Sequence, residues 1–134
     1  MKKNPNILLV IPARYDSKRF PGKSLCYLSG KNNIKKTLIE RTWLLAKSLK
    51  FKCKVIIATD DERIKSHSEN FGAKVIMTSS KCKNGSERVS EVVKKLNENF
   101  DVIINLQGDA LLTPSWFIEE TVTKFLVSRY DVTT

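Results

Sequence analysis

Four cations, Arg14, Lys18, Arg19 and Lys23, fall within ten residues of the stretch Ile11-Pro-Ala-Arg-Tyr-Asp-Ser-Lys-Arg-Phe-Pro-Gly-Lys23. Arginine brings a planar fork of donors and lysine a compact charge. Backbone N–H groups left open by an irregular loop complete a set suited to a polyphosphate. Pro12, Pro21 and Gly22 oppose a helix, so the stretch reads as a shaped loop following the apolar run from Ile7 to Val10. The competing reading is a surface loop with incidental charge. Gly22-Lys23-Ser24 has the ending of a Walker A loop, but that motif needs a glycine where Ser17 stands, and a helix should begin at the lysine. A Walker ATPase is excluded, and no GxGxxG dinucleotide fingerprint occurs.

Three further places carry candidate chemistry. Asp109, after an apolar run and Gln107-Gly108, is a carboxylate on a strand end facing a cationic loop, which suits Mg²⁺ bridging phosphate oxygens; a turn or N-cap role explains it equally. Asn84-Gly-Ser-Glu87 has capping-box spacing, yet Gly85 and Ser86 at a helix start also suit ligand hydroxyls or phosphates. Asp60 and Asp61 read as helix-start residues rather than catalysts. His67 is the only histidine, which removes most His-dependent metal and triad schemes, and it reads as a surface residue.

The elements that position these groups follow from periodicity. Asn6–Ile11, Lys54–Ala58, Lys74–Met77 and Val102–Leu106 read as strands, and the apolar runs in the first two suit a sheet covered on both faces. Leu25–Leu28 reads as a brief strand and 29–33 as a turn. Helical spacing covers about 34–49, a segment from Thr59-Asp-Asp-Glu62 to Gly72, about 86–97, and 113–127, with Asp131-Val-Thr133 opening another strand. Alternation of this kind predicts an α/β fold: a Rossmann-like, mostly parallel sheet flanked by helices. The basic loop, the segment from Thr78 to Arg88 and Gln107-Gly108-Asp109 should meet in one crevice at the carboxyl ends of the strands.

Composition bounds the rest. The chain has 134 residues, 41% hydrophobic and 28% charged, which fits one soluble domain. The net charge of +10 allows a polyanionic ligand or a solvated lysine-rich surface. No RNP-type aromatics or recognition helix accompany it, so a specific nucleic-acid partner is not expected. Cys26, Cys53 and Cys82 are odd in number and lack CxxC spacing, which argues against a disulfide framework or zinc and for a reducing cytoplasm. No signal-peptide core or membrane span is legible.

Pro12-Ala-Arg-Tyr-Asp-Ser-Lys-Arg-Phe-Pro-Gly-Lys23 resembles the signature loop of the CMP-sugar synthetases, and Ala58-Thr-Asp60, Met77-Thr78, Asn84-Gly-Ser-Glu-Arg88 and Asn105-Leu-Gln-Gly-Asp109 follow in the order of the CMP-Kdo synthetase branch (Kdo is 3-deoxy-manno-octulosonate). The resemblance implies a nucleotide-diphospho-sugar transferase fold and transfer of CMP from CTP to an acidic sugar, for lipopolysaccharide assembly. It implies Arg14, Lys23 and Asp109 as catalytic groups and Asp109 as the Mg²⁺ ligand. Ala13, Arg14, Ser17, Arg19, Lys23, Thr78, Gly85, Ser86 and Gln107 would form the binding set, with the Thr78–Ser86 loop meeting the cytidine. The family usually continues Gln-Gly-Asp with Glu-Pro, where this chain has Ala110-Leu111, and places an arginine after Met-Thr, where this chain has Ser79. Family members are nearly twice this length. The resemblance therefore implies an N-terminal nucleotide-binding half, able to bind CTP without turnover, with most of the sugar pocket, the homodimer contact and a second metal-binding aspartate lying elsewhere. Alternatives are a cytidylyltransferase for a nonulosonate or amino-Kdo, or a non-catalytic nucleotide-binding module.

Overall fold

The computed structural model describes residues 3–133. Its centre is β1 (Ile7–Pro12), in which every residue is buried. That run tolerates complete burial because it carries no polar side chain and lies in mid-sheet. Each large apolar side chain so enclosed contributes about 1.5–3 kcal/mol relative to exposure. β1 pairs in parallel with β4 (Lys54–Thr59) on one side and β6 (Val102–Asn105) on the other, and β4 pairs in parallel with β5 (Lys74–Met77). The sheet order is β5-β4-β1-β6. Strand order therefore reverses between β1 and β6, the place where an open parallel sheet leaves a crevice beyond its carboxyl ends.

Alternation along β1 divides the core. Leu8 and Val10 pack with Val89 and Val92 of α3 (Gly85–Leu96) on one face. Leu9 and Ile11 pack on the other with Ile39 of α1 (Leu38–Lys47), Ile64 of α2 (Glu62–Asn70) and Ile118 of α4 (Ser115–Val127).

The four expected core strands and four helices are present, with one element misread and one absent. Residues 34–37 are not the first turn of α1. β2 (Tyr27–Ser29) and β3 (Lys35–Thr37) form an antiparallel hairpin, whose turn places Asn32 and Asn33 at φ 60° and 56°, a region asparagine tolerates better than most residues. α1 begins at Leu38 because the side chain of Thr37 caps it, accepting from the Glu40 amide at 3.4 Å. α2 is capped by Asp61, which accepts from the Arg63 and Ile64 amides. Thr59, the expected cap, is instead the last residue of β4 and takes the Asp61 N–H on its hydroxyl. Residues 131–133 form no strand. His67 is half-buried and less plain than its setting in the sequence suggested: its Nε2 lies 2.7 Å from Thr37 Oγ1, and its ring meets Tyr27 and Phe71 edge-on.

Candidate functional site

The basic loop closes on one residue. The Tyr15 carbonyl accepts the N–H groups of Ser17 at 3.1 Å and Gly22 at 2.8 Å, so the segment folds back and presents its cations outward. Gly22 sits at φ 72°, and a Cβ there would stand 3.0 Å from the Tyr15 ring. Glycine is the residue that meets both demands. The same ring carries the Arg63 guanidinium, 3.3 Å from its centroid, a cation–π contact that ties the loop to α2. Arg63 is fixed in turn by Asp61, at 2.7 Å from Nη2 to Oδ2. That guanidinium holds the Asp61 carboxyl below the usual range. Arg14, Lys18, Arg19 and Lys23 are all exposed, as groups awaiting a solvated anion must be.

The turn after β6 lies opposite. Thr42 Oγ1 of α1 donates to the Gly108 carbonyl at 2.7 Å, fixing the backbone that carries Asp109. Lys23 Nζ then reaches Asp109 Oδ2 at 2.9 Å. This hydrogen bond is the largest influence keeping the Asp109 carboxyl below its ordinary range, with burial opposing it. Asp109 is therefore an anion at neutral pH, held across the crevice from the loop.

The third wall is the segment between β5 and α3. Asn84 caps α3, its Oδ1 accepting the Glu87 N–H at 2.9 Å. The Glu87 carboxylate accepts from the Lys83 amide at 2.7 Å, one residue earlier than a standard capping box. Gly85 allows close approach: a Cβ there would lie 3.2 Å from both Gln107 Nε2 and Pro12 Cγ.

These ends enclose a cavity of about 290 Å³ lined by Pro12 of β1, Ala13 and Arg14 just beyond it, residues 82–85 and Arg88 from the third wall, and Gln107. Of the residues expected at the site, Ala13, Arg14, Gly85 and Gln107 thus share one cavity. Ser17, Arg19 and Lys23 line a second space of about 490 Å³, and the Lys23–Asp109 pair connects the loop to the turn after β6. Thr78 is buried, its hydroxyl accepting from Arg88, and Ser86 faces a separate groove beside β6. Residues not expected here also act: Tyr15 and Arg63 close the loop, Thr42 holds the aspartate turn, and Arg88 spans the third wall. Arg88 stands in the Gly-Ser-Glu-Arg motif, and its spacing four residues after the Asn84 cap was the available signal.

Comparison with known proteins gives the family. A family profile described as Cytidylyltransferase matches residues 8–134. The chain belongs to the cytidylyltransferase family. It is 44% identical over 113 residues to the 3-deoxy-manno-octulosonate cytidylyltransferase of Maricaulis maris (strain MCS10), covering 84% of this chain and 42% of that protein. It is 43% identical over 119 residues to the mitochondrial enzyme of the same name from Arabidopsis thaliana, covering 89% and 39%. It is 41% identical over 121 residues to the 8-amino-3,8-dideoxy-manno-octulosonate cytidylyltransferase of Shewanella sp. (strain ANA-3), covering 90% and 47%. Among solved structures it superposes on a CMP:2-keto-3-deoxy-manno-octonic acid synthetase complexed with CTP, with a TM-score of 0.81 and 34% identity, covering 90% of this chain and 47% of that one. This cytidylyltransferase chain thus spans less than half the length of each of these relatives.

Proposed function

We propose that this chain is the nucleotide-binding portion of an enzyme that transfers CMP from CTP to Kdo, releasing pyrophosphate, in a cytoplasmic step of lipopolysaccharide assembly. The observation that supports this most is the meeting of Arg14, Gly85 and Gln107 around one cavity beside the Lys23–Asp109 pair. The family relationship narrows the nucleotide to CTP. In such a reaction the anomeric hydroxyl of the sugar attacks the α-phosphorus. A P–O bond forms to the sugar as the bond to pyrophosphate breaks, and the hydroxyl proton leaves.

Most of that chemistry is positioning and charge stabilisation. Arg14 and Lys23 take the triphosphate, with Arg19 assisting from the outer space of the loop. Binding draws Lys23 from Asp109 toward phosphate oxygens and releases the carboxylate. Among the described residues no group of three or more His, Cys, Asp or Glu gathers as a metal site, so a cation here would rely on Asp109 and the nucleotide. A single ionised carboxylate plus phosphates and water fits Mg²⁺, which keeps much of its hydration. Bound there, Mg²⁺ would neutralise charge on the phosphates. The cytidine meets residues 82–85, the part of the third wall that lines the cavity.

Full-length forms would add the acidic-sugar pocket and act as homodimers. A second reading, with an 8-amino-Kdo acceptor, is favoured by the Shewanella relative. Thermal denaturation with Mg²⁺ and CTP, ATP or GTP tests the nucleotide. CTP should raise the midpoint most, and an equal response to all three would refute the cytidine assignment. Pyrophosphate release with CTP and Kdo or 8-amino-Kdo tests the acceptor, with little turnover expected from these 134 residues alone.

A further inference from the structure

The segment joining β5 to α3 has few backbone bonds of its own. The Thr78 amide donates to Thr59 at 2.8 Å, and the Cys82 amide to Ser79 at 3.3 Å. Its shape comes from one polar stripe of α3. Arg88 Nη1 donates to Thr78 Oγ1 at 2.6 Å and to the Ser79 carbonyl at 3.3 Å. The Ser79 N–H donates to both oxygens of Glu91, at 3.1 and 3.0 Å, and the Cys82 thiol to Glu91 at 3.3 Å. Ser79 is therefore gripped from both sides of its backbone, N–H by an acid and C=O by a base three residues earlier on one helix. Arg88 is 4% exposed, and Asp60 at the end of β4 lies 3.9 Å from its Nη2. Such a buried cation is costly unless its donors are used, and here they are used on the segment.

We propose that Arg88 and Glu91 are positioning residues that preset residues 78–84 as the wall selecting the nucleotide base. This rests on the cytidine reading above and deepens it, because it assigns base discrimination to a helix that supports the wall. Selectivity between bases that differ by one donor or acceptor requires polar partners fixed before the ligand arrives, since a wrong base then leaves them unpaired. The basic loop holds the triphosphate common to all nucleotides and cannot supply this discrimination.

The test compares wild type with Glu91→Gln, Arg88→Lys and Arg88→Met, measuring CTP and UTP affinities by calorimetry, Ser79 amide exchange, and thermal midpoint without nucleotide. CTP affinity in Glu91→Gln and Arg88→Met should fall about tenfold or more while UTP affinity changes little, and Ser79 should exchange faster. Lys23→Ala should weaken both nucleotides alike. Should Arg88→Met fail to fold, Arg88→Lys and Glu91→Gln, which preserve charge or size, decide the matter. A lower midpoint with an unchanged CTP-to-UTP ratio would show a purely structural role and overturn the proposal. A wild-type chain that binds CTP and UTP equally would overturn the cytidine reading itself, before any variant is considered.

Discussion

Two walls of the candidate site are built by different means. Residues 13–23 leave their cations in solvent and close through backbone bonds to one tyrosine carbonyl. Residues 78–84 are pinned by side chains of a single helix, including a nearly buried arginine. The first wall is charged and replaceable in its contacts, as suits a flexible, highly charged phosphate chain. The second also exposes lysines, Lys81 and Lys83, but its backbone is fixed by side chains, as suits a flat base read by a few hydrogen bonds. The contrast predicts that damage to the first wall removes binding with little loss of stability, while damage to the second loosens the fold as well.

The largest effect should come from Lys23→Ala. It removes the cation nearest Asp109, and the CTP-dependent rise in thermal midpoint should vanish. The unliganded protein should lose less than about 1 kcal/mol, because the pair is exposed and exposed ion pairs contribute little. A large drop in unliganded stability would break the contrast from the phosphate side.

Arg88→Met should behave the other way. It leaves the buried Thr78 hydroxyl short of a donor and frees the Ser79 carbonyl, at a loss of about 2 kcal/mol in urea unfolding. Arg14→Met, an exposed position in the same cavity, should leave unfolding within about 0.5 kcal/mol of wild type. Equal losses at the two arginines would remove the distinction between the walls.

How much of this was legible in the sequence follows the same division. The sheet and its crevice could be read because β1 and β4 are unbroken apolar runs whose burial needs no tertiary information. The hairpin over 27–37 could not, since Ile34 and Leu38 share a helical period although Ile34 is half exposed in a turn. Thr37 and Glu40, at capping-box spacing, mark the true helix start. At the site, the basic loop announced itself by charge. The supporting contacts of Tyr15, Thr42, Arg88 and Glu91 join residues distant in sequence, or use ordinary helix-surface spacing, and became visible only once the chain was folded.

Gly22→Ala probes the first wall where it is geometrically tight. The positive φ disfavours alanine by about 1 kcal/mol, and the added methyl would press on Tyr15, whose ring also carries Arg63. Unfolding should shift by roughly that amount, and the Tyr15 ring resonances should move. Unaltered resonances would mean that the loop is not closed on this ring.

The smallest effect concerns acid. The bond from the Ser79 amide is the main cause holding the Glu91 carboxyl below its usual range, with desolvation opposing it and Cys82 and Lys95 adding to the lowering. A carboxyl depressed in the folded state stabilises that state above its unfolded pKa, and the contribution fades as pH falls through the folded value. The grip on Ser79 should therefore be complete above about pH 4.3, the ordinary value for glutamate, and should weaken progressively below it. Ser79 amide exchange, corrected for its intrinsic pH dependence, should show protection falling in that acidic window in wild type and flat in Glu91→Gln. Asp109 is depressed by its own bond to Lys23 and titrates on the acidic side as well, yet it touches no part of the 78–84 segment. A protection loss at Ser79 that persists in Glu91→Gln would therefore place the sensitive group outside this contact.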